Sequence, residues 1–271
     1  MRTEFIKKLV LQDLYYALRS ARGVLFLVFF SVFWLWIFSK LGKVNTQWLG
    51  NPDGAMMLSW LFDQKTAQAL FVDRNPGFSL FYLIAINTAP LFVLFAASDQ
   101  TANDIGSKYL RFLLPRCQRI EIYLGRFVGS VVLVWLAYIS ISTIAALWVV
   151  LFNHANVAEI LIEWLWVVSS LMLYVLPFIA FMSLCSAWVG SAGLSALLGL
   201  GSYLIVVIII GVLSFRWQGV ADGVSWILPN AIKPWVLLMD GWHLLKSTIL
   251  ATIYVFIYGY LGWLVFARRD I

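Results

Sequence analysis

The sequence is poor in charged side chains, which make up 12% of its 271 residues, against roughly 25% in soluble domains. Hydrophobic residues make up 62%, which is more than a soluble chain of this length could hide from water in one or two cores. This balance predicts a membrane protein. The net charge of +6 then indicates Lys and Arg beside the bilayer, and not a surface for nucleic acid.

Histidine, cysteine and catalytic motifs are also scarce. The histidines are His154 and His243, both in predicted outer loops, and the cysteines are Cys117 and Cys185, in segments of different character. A site between the two histidines stays open, but the clustered ligands of usual metal sites are missing, and a mutual disulfide is not expected. The sequence contains no GxSxG, HExxH or Walker phosphate-binding motif.

Glu159 and Glu163 are the one carboxylate pair with a spacing that suits catalysis, because residues four apart share a helix face. Their position at a membrane boundary favours another interpretation, in which they mark the outer end of a span. We therefore expect no enzymatic activity from the chain by itself and no cofactor bound to it.

Six apolar segments are long enough to cross a bilayer, which takes about 20 residues. They are residues 23–39, 80–97, 127–152, 160–189, 194–213 and 247–267. No soluble domain or internal repeat accompanies them, so residues 1–271 are predicted to form a single all-α membrane domain. Residues 1–22 carry apolar side chains at helical spacing among Lys and Arg, which predicts an interfacial helix.

Lys and Arg are unequally distributed between the two sides of this arrangement. With the N-terminus inside, the inner segments carry twelve of them and the outer segments seven, so the positive-inside rule places both termini in the cytoplasm. Two outer segments, residues 40–79 and 214–246, are long enough to fold. The Trp and Pro content of the second predicts short amphipathic helices resting at the outer interface.

The interiors of the six predicted spans contain no Asp, Glu, Lys or Arg. Proton-coupled carriers and voltage sensors use ionisable groups at membrane depth, so both classes are disfavoured. If the protein transports a substrate, its energy comes from outside the bilayer, and the apolar spans favour an amphipathic cargo over a small ion. Weak candidates for the route are Asn87, Thr88, Gly193, Ser195, Gly199 and Gly201, although small residues more often only allow close helix packing.

The exception to this apolar character is the polar island, residues 98–127, between the second and third spans. Pro115 divides the island into two helix-compatible pieces, because proline ends a helix and allows a change of direction. A short helix-turn-helix that docks a soluble partner and an interfacial loop that binds lipid phosphates explain this composition equally well.

Within the island, the sequence NDIGSKYLRFLLPRCQRIEIYLGRFVG, residues 103–129, resembles the segment after the second span in ABC transporter type-2 permeases. Asp104 falls at the family's acidic position, Gly106-Ser107 at Gly-Thr, and Leu113-Leu114-Pro115 at Leu-Leu-Pro, and Arg119, Glu121 and Gly125-Arg126 follow in order. Asp replaces Glu, Ser replaces Thr, Arg126 replaces Lys, and one extra residue separates Pro115 from Gly125. The ending FARRDI, residues 266–271, is also similar to the family's usual ending.

The resemblance implies a permease that forms a dimer, expected to be a homodimer with a second copy of this chain. It also implies binding of two copies of a separate ATPase subunit, which would carry ATP and Mg. The island would act as a cytoplasmic coupling helix. Its implied ATPase contacts are Asp104, Gly106, Ser107, Arg111, Pro115, Arg116, Arg119 and Glu121.

The same resemblance implies an exporter in a bacterial inner membrane, similar to the permeases that serve nitrous-oxide reductase maturation and drug or peptide export. Membrane lipid and a periplasmic or accessory subunit are further implied partners, and nucleic acid is not one. The alternative hypothesis is a membrane anchor or regulatory subunit of a larger complex that uses the same island without transporting anything.

Overall fold

The computed structural model describes residues 3–41, 63–115, 117–153 and 155–269. All regular structure within these ranges is helical, and they contain no strand. The helices are α1 (Thr3–Arg19), α2 (Ala21–Leu41), α3 (Gln64–Phe71), α4 (Pro76–Ala96), α5 (Ala102–Gly106), α6 (Leu110–Leu113), α7 (Arg119–Asn153), α8 (Val157–Trp188), α9 (Ala192–Ser214), α10 (Gln218–Ser225), α11 (Lys233–Leu237) and α12 (Gly241–Ala267), with 3₁₀ turns at Ala97–Asp99 and Pro229–Ile232.

Six of these helices, α2, α4, α7, α8, α9 and α12, are long and apolar enough to cross a membrane, which confirms the predicted number of spans. Two of them are longer than a bilayer requires. Helices α7 and α8 contain 35 and 32 residues, or about 52 and 48 Å at 1.5 Å per residue, whereas the hydrocarbon core is about 30 Å thick. Helix α7 therefore continues from the bilayer into the polar island.

Short polar residues set the start of several spans. The Asn75 side chain accepts a hydrogen bond from the backbone N–H of Gly77 at 3.1 Å, and Pro76 occupies the first position of α4. Asn156 caps α8 in the same way through the N–H of Ala158. These caps satisfy donors that have no partner inside the helix, so these boundaries follow from local sequence.

Helix α8 lies at the centre of the bundle and packs against α12, α7 and α4. Its Tyr174 and Phe178 are fully buried. The apolar core continues into α2 and α4, where the rings of Trp34 and Phe81 lie 5.0 Å apart between centroids. Helix α9 instead leaves most of its apolar surface uncovered by the rest of the chain, so in a bilayer this surface contacts lipid or another subunit.

Contacts at the helix ends show which connections lie together at each end of the bundle. The island lies against the α8–α9 turn, where Gly106 meets Gly190, and Arg269 after α12 reaches the same region. Helix α1 packs along α7 at this end. At the opposite end, the backbone N–H of Asn75 donates to Glu163 Oε1 at 2.8 Å. Residues near both termini thus share the island end, as the predicted topology requires, and the placement of this end in the cytoplasm stays a prediction.

The connection between α9 and α12 enters the bundle instead of resting on its surface. Four tyrosine hydroxyls from spanning helices donate to it: Tyr254 to the Trp226 carbonyl, Tyr258 to the Ile227 carbonyl, Tyr174 to Asn230 Oδ1 at 2.7 Å and Tyr82 to the Val236 carbonyl at 2.8 Å. Tyr174 and Tyr258 are each the eighteenth residue of their helices, which contain 32 and 27 residues, so the connection contacts residues well inside both helices. We name this inserted segment, residues 226–237, the re-entrant segment.

The short helices predicted for this connection form, but the re-entrant segment packs into the core and does not rest on the surface of the bundle. Its Ile232, Val236 and Leu237 are buried in the main apolar core. Backbone that is not regular helix is tolerated at membrane depth where protein groups satisfy it, and the four tyrosines supply that satisfaction. They come from other helices, so a local interpretation of the Trp and Pro pattern could not include them.

Helix α1 forms where the sequence predicts an interfacial helix. Its Leu9 is buried against α7, whereas Leu11, Tyr15 and Tyr16 are exposed. Its location in the membrane interface stays a prediction. Residues 42–62, which make up much of the first outer segment, lie outside the described residues.

Candidate functional site

The polar island forms two short helices before the third span. Helix α5 ends at Gly106, Lys108 has a left-handed backbone with φ of 56°, and α6 follows. Pro115 then precedes the start of α7 at Arg119. The sequence indicates the break at Pro115. It does not indicate the break at Lys108, because positive φ is uncommon for residues other than glycine and lysine carries no signal for it.

A buried ion cluster joins the island to two other helices. Arg126 on α7 binds Asp104 on α5 through two parallel contacts, Nε to Oδ2 at 2.7 Å and Nη2 to Oδ1 at 2.9 Å. Its Nη1 also donates to Asp13 Oδ1 on α1. All three side chains are largely buried. Bidentate, charge-assisted bonds are short and directional, so this cluster fixes the island relative to α1 and α7.

Glycines let the backbones of these elements approach closely. A β-carbon at Gly125 would meet the Leu9 side chain, and one at Gly129 would meet Asp13, so both glycines make room for α1 on α7. A β-carbon at Gly106 would overlap the carbonyl oxygen of Gly190. The island is therefore in backbone contact with the turn between α8 and α9.

Replacement of Gly106 by alanine is expected to destabilise the protein by about 1–3 kcal/mol, because the added methyl group overpacks against backbone that cannot rotate away. The thermal unfolding midpoint of the purified protein in detergent measures this effect. Gly201→Ala is the matched control, since a β-carbon at Gly201 would have no neighbour within 4 Å. Equal midpoints for the two variants would contradict the close approach of Gly106 to Gly190.

Two arginines hold the ends of spanning helices at the island. Arg119 Nη1 donates to the carbonyls of Ala267 and Arg269 at 2.7 and 2.9 Å, and Arg269 Nη1 donates to the Ala187 carbonyl at 2.8 Å. The last carbonyls of a helix lack partners within it and carry the negative end of its dipole. The arginines satisfy these groups at the ends of α12 and α8, so both spans are attached to the island.

The implied ATPase contacts divide into two groups in the structure. Asp104, Gly106, Arg119 and Glu121 are engaged within the chain, and Glu121 is buried with its Oε2 accepting from the Gln118 N–H at 3.2 Å. Ser107, Arg111 and Pro115 are exposed. Arg116 lies outside the described residues. The structure thus brings the eight residues into one region but exposes only some of them, and their role as an interface stays a prediction.

Helix α6 has one buried face and one exposed face. Leu110 and Leu113 pack with Phe266 and Ala187 in a small apolar cluster. Phe112 points away from this cluster and is 74% exposed, beside Arg111, which is also exposed. The prediction from sequence did not separate these two faces. The spacing of Leu110 and Leu113 was the available signal for the buried face, because residues three apart share a face of a helix. The two residues between them, Arg111 and Phe112, do not lie on that face.

A cavity of about 880 Å³ lies beside the ion cluster. It is bounded by α1, α2, the end of α4 next to the island, the island itself, α7 and the start of α9. Its lining is mixed, with Phe26 and Phe95 among apolar side chains and Asp99 and Gln100 among polar ones. Gly193, one of the weak route candidates, also lines it. The cavity could not be predicted, because its walls come from six separate segments.

A second polar group lies near the middle of the second span. Lys233 Nζ, from the re-entrant segment, donates to Asn87 Oδ1 on α4 at 2.6 Å. Asn87 lies eleven residues after Pro76, about 16 Å along a helix that must cross a core of about 30 Å. The prediction of uncharged span interiors still holds for the spanning helices, but an ammonium group reaches this depth from a connection.

The histidines and the Glu163 carboxylate, the other candidates from the sequence, do not form a metal or catalytic site among the described residues. Among the described residues, no group of three or more His, Cys, Asp and Glu side chains is placed to hold a metal. His243 Nδ1 lies 3.1 Å from Asp240 Oδ2, one helical turn away, and His154 lies outside the described residues. The Glu163 carboxylate accepts a hydrogen bond from the Asn75 N–H at the end of the bundle opposite the island. This agrees with the interpretation that Glu163 marks that end of the fourth span.

Comparison with known proteins does not identify the chain. No family model matches it, and no curated protein matches it.

Proposed function

We propose that this chain is the membrane-spanning permease subunit of an ABC exporter, in which the island couples a separate ATPase subunit to the spans. The observation that carries the proposal is the construction of α6, which exposes Phe112 and Arg111 on one face and is fixed on the other. An exposed aromatic side chain beside an arginine is typical of the residues that dominate protein interfaces.

A displacement of α6 would be transmitted to most of the spanning helices through the contacts described above. The Asp104–Arg126 ion pair joins the island to α7, and the contact of Arg126 with Asp13 joins α7 to α1. Gly106 packs against the α8–α9 turn, and Arg119 is hydrogen-bonded to the end of α12. Packed cores and ion pairs move as rigid units between discrete arrangements, so a small displacement of the island would reorient several spans together.

The proposal gives the island residues two roles. Ser107, Arg111, Phe112 and Pro115 would contact the ATPase, together with Arg116 as the resemblance implies. Asp104, Arg119 and Glu121 would position the island through polar side chains that are engaged inside the chain. Gly106 would do so through its close approach to Gly190. The ATP and Mg would be bound by the partner alone, with two ATPase copies and two permease chains in the complex.

The Lys233–Asn87 pair favours a transporter over an inert anchor. Asn87 is exposed on the surface of the chain, although it lies near the middle of a helix that is long and apolar enough to span a membrane. Charged and polar groups at this depth almost always face a bundle interior or a water-filled cavity and not lipid. A second copy of the chain would enclose this face, and the enclosed space would be the substrate path.

Purification of the full chain from its native membranes tests the proposal. We expect an ATPase subunit with a Walker motif to copurify in equal amount, and the complex in lipid vesicles to hydrolyse ATP. A nucleotide-free partner, or a complex without ATP hydrolysis, would refute the ABC assignment. ATP hydrolysis without movement of any cargo would instead support the alternative of a membrane anchor or regulatory subunit.

A further inference from the structure

The Lys233 ammonium lies beside the middle of the spanning helix α4, and none of the described carboxylates pairs with it there. None of the ion pairs among the described residues includes Lys233. In this part of the chain its ammonium donates to Asn87 alone. An ammonium has three N–H donors, so donors remain for a further acceptor, and an anion would be the most stabilising one.

Asn87 is held in the orientation that leaves its oxygen to Lys233. Its Nδ2 donates to the Leu83 carbonyl on the preceding turn of α4 at 2.7 Å, while Oδ1 accepts from Lys233. The re-entrant segment is itself fixed by the hydrogen bonds from Tyr82 and Tyr174. The ammonium is therefore presented from a rigid support and is not the end of a free surface side chain.

An apolar stripe leads away from this pair along α4. Leu91 and Phe95 follow Asn87 at intervals of four residues and so lie on the same face of the helix. They are 52% and 46% exposed. Phe95 also lines the cavity at the island end. The face thus combines one cationic end with an apolar length of about 12 Å between residues 87 and 95.

The far end of the stripe has the opposite charge character. The cavity next to Phe95 is lined by Asp13, Asp99 and Asp104, with Arg126 as the one described cation among its lining residues. An anionic group is attracted to Lys233, whereas the Arg126 guanidinium at the other end is already bound by Asp104 and Asp13. A molecule with one anionic end and one apolar end would therefore bind in a single direction.

We infer that the Lys233–Asn87 pair binds the anionic headgroup of an amphiphile whose apolar tail lies along Leu91 and Phe95. The binding site follows from the contacts above. That the bound amphiphile is the exported cargo rests on the proposed function. The preference for an amphipathic cargo, which the apolar spans favour, is thereby narrowed to an anionic amphiphile.

Binding of two probes with the same tail and opposite charge tests the inference. The full chain, purified in dodecyl maltoside, is titrated with dodecyl phosphate or with dodecyltrimethylammonium, and bound molecules are counted by native mass spectrometry. We expect dodecyl phosphate to bind at least about tenfold more tightly, as one charge-assisted hydrogen bond allows. Equal binding of the two probes would reduce the site to an apolar groove and overturn the inference.

Substitutions test whether the preference for dodecyl phosphate over dodecyltrimethylammonium depends on Lys233. Lys233→Met should abolish it and Lys233→Arg should keep it, whereas Lys65→Met removes an exposed lysine of the same charge outside this site and should leave it intact. Asn87→Asp provides a second route if Lys233→Met does not fold, because the new carboxylate would pair with the ammonium and displace the anion. A preference that survives both Lys233→Met and Asn87→Asp would place the anion elsewhere.

These measurements use the chain without an ATPase. A failure of anion binding would therefore leave the transport proposal standing. Conversely, loss of the ATPase assignment would leave a measured anion site intact and remove only its role in export.

Discussion

Replacement of Arg126 by methionine is expected to destabilise the protein by about 3–5 kcal/mol, which is the usual cost of removing one partner of a buried ion pair. The reason is that Asp104 and Asp13, both largely buried, would lose the guanidinium that binds them. The thermal unfolding midpoint in detergent and the yield of folded protein measure the effect. Because the cluster joins α1, α5 and α7, we expect α1 to become more accessible to protease as well.

Arg111→Met is the matched control for this prediction. It removes the same charge from the same island, but Arg111 is exposed, and exposed charges contribute little to stability. A triple variant, Arg126→Met with Asp13→Asn and Asp104→Asn, should recover part of the lost stability, because no uncompensated charge remains. If Arg126→Met and Arg111→Met unfold at the same temperature, the ion cluster does not hold these helices together.

Replacement of Phe112 by aspartate is expected to reduce ATP-driven transport by at least about tenfold without unfolding the chain, since truncating a central interface aromatic commonly costs 2 kcal/mol or more. Phe112 is 74% exposed and makes no contribution to the buried face of α6, so the loss would come from weaker ATPase docking. Copurification of the ATPase and substrate-linked ATP hydrolysis in vesicles are the measurements. Phe112→Leu should retain most of both, because an apolar side chain remains.

Phe215→Asp is the control at the other end of the molecule. Phe215 is 90% exposed just after α9, far from the island along the helix, and its substitution should not affect ATPase docking. Normal docking and coupling in Phe112→Asp would remove α6 from the interface. In that case Arg116 and the exposed Ser107 and Pro115 would become the next positions to test.

Local sequence was sufficient for the number and approximate positions of the spans, because the causes of both are local. Hydropathy over about 20 residues decides which segments cross a bilayer, and the caps at Asn75 and Asn156 lie next to the helices that they begin. The same holds for the break at Pro115. The island was recognisable from composition alone, since few other stretches of the chain combine charge with helical spacing.

Local sequence could not give the exposure of individual island residues. Leu110 and Phe112 are both apolar and two positions apart, yet one is 1% exposed and the other 74%. The difference arises from Phe266 and Ala187, which pack on one face of α6 from distant parts of the chain. Asp104 and Arg119 looked like surface charges for the same reason, since their partners lie on other helices.

By itself, the sequence determined the membrane class, the six spans and the position of the polar island, because each depends on neighbouring residues. Only the tertiary structure decided which charges meet. Arg126 finds Asp104 at a separation of 22 residues and Asp13 at 113, and Lys233 finds Asn87 at 146. The physical reason is that burial of an ionic group depends on the partner that compensates it, and that partner is supplied by folding.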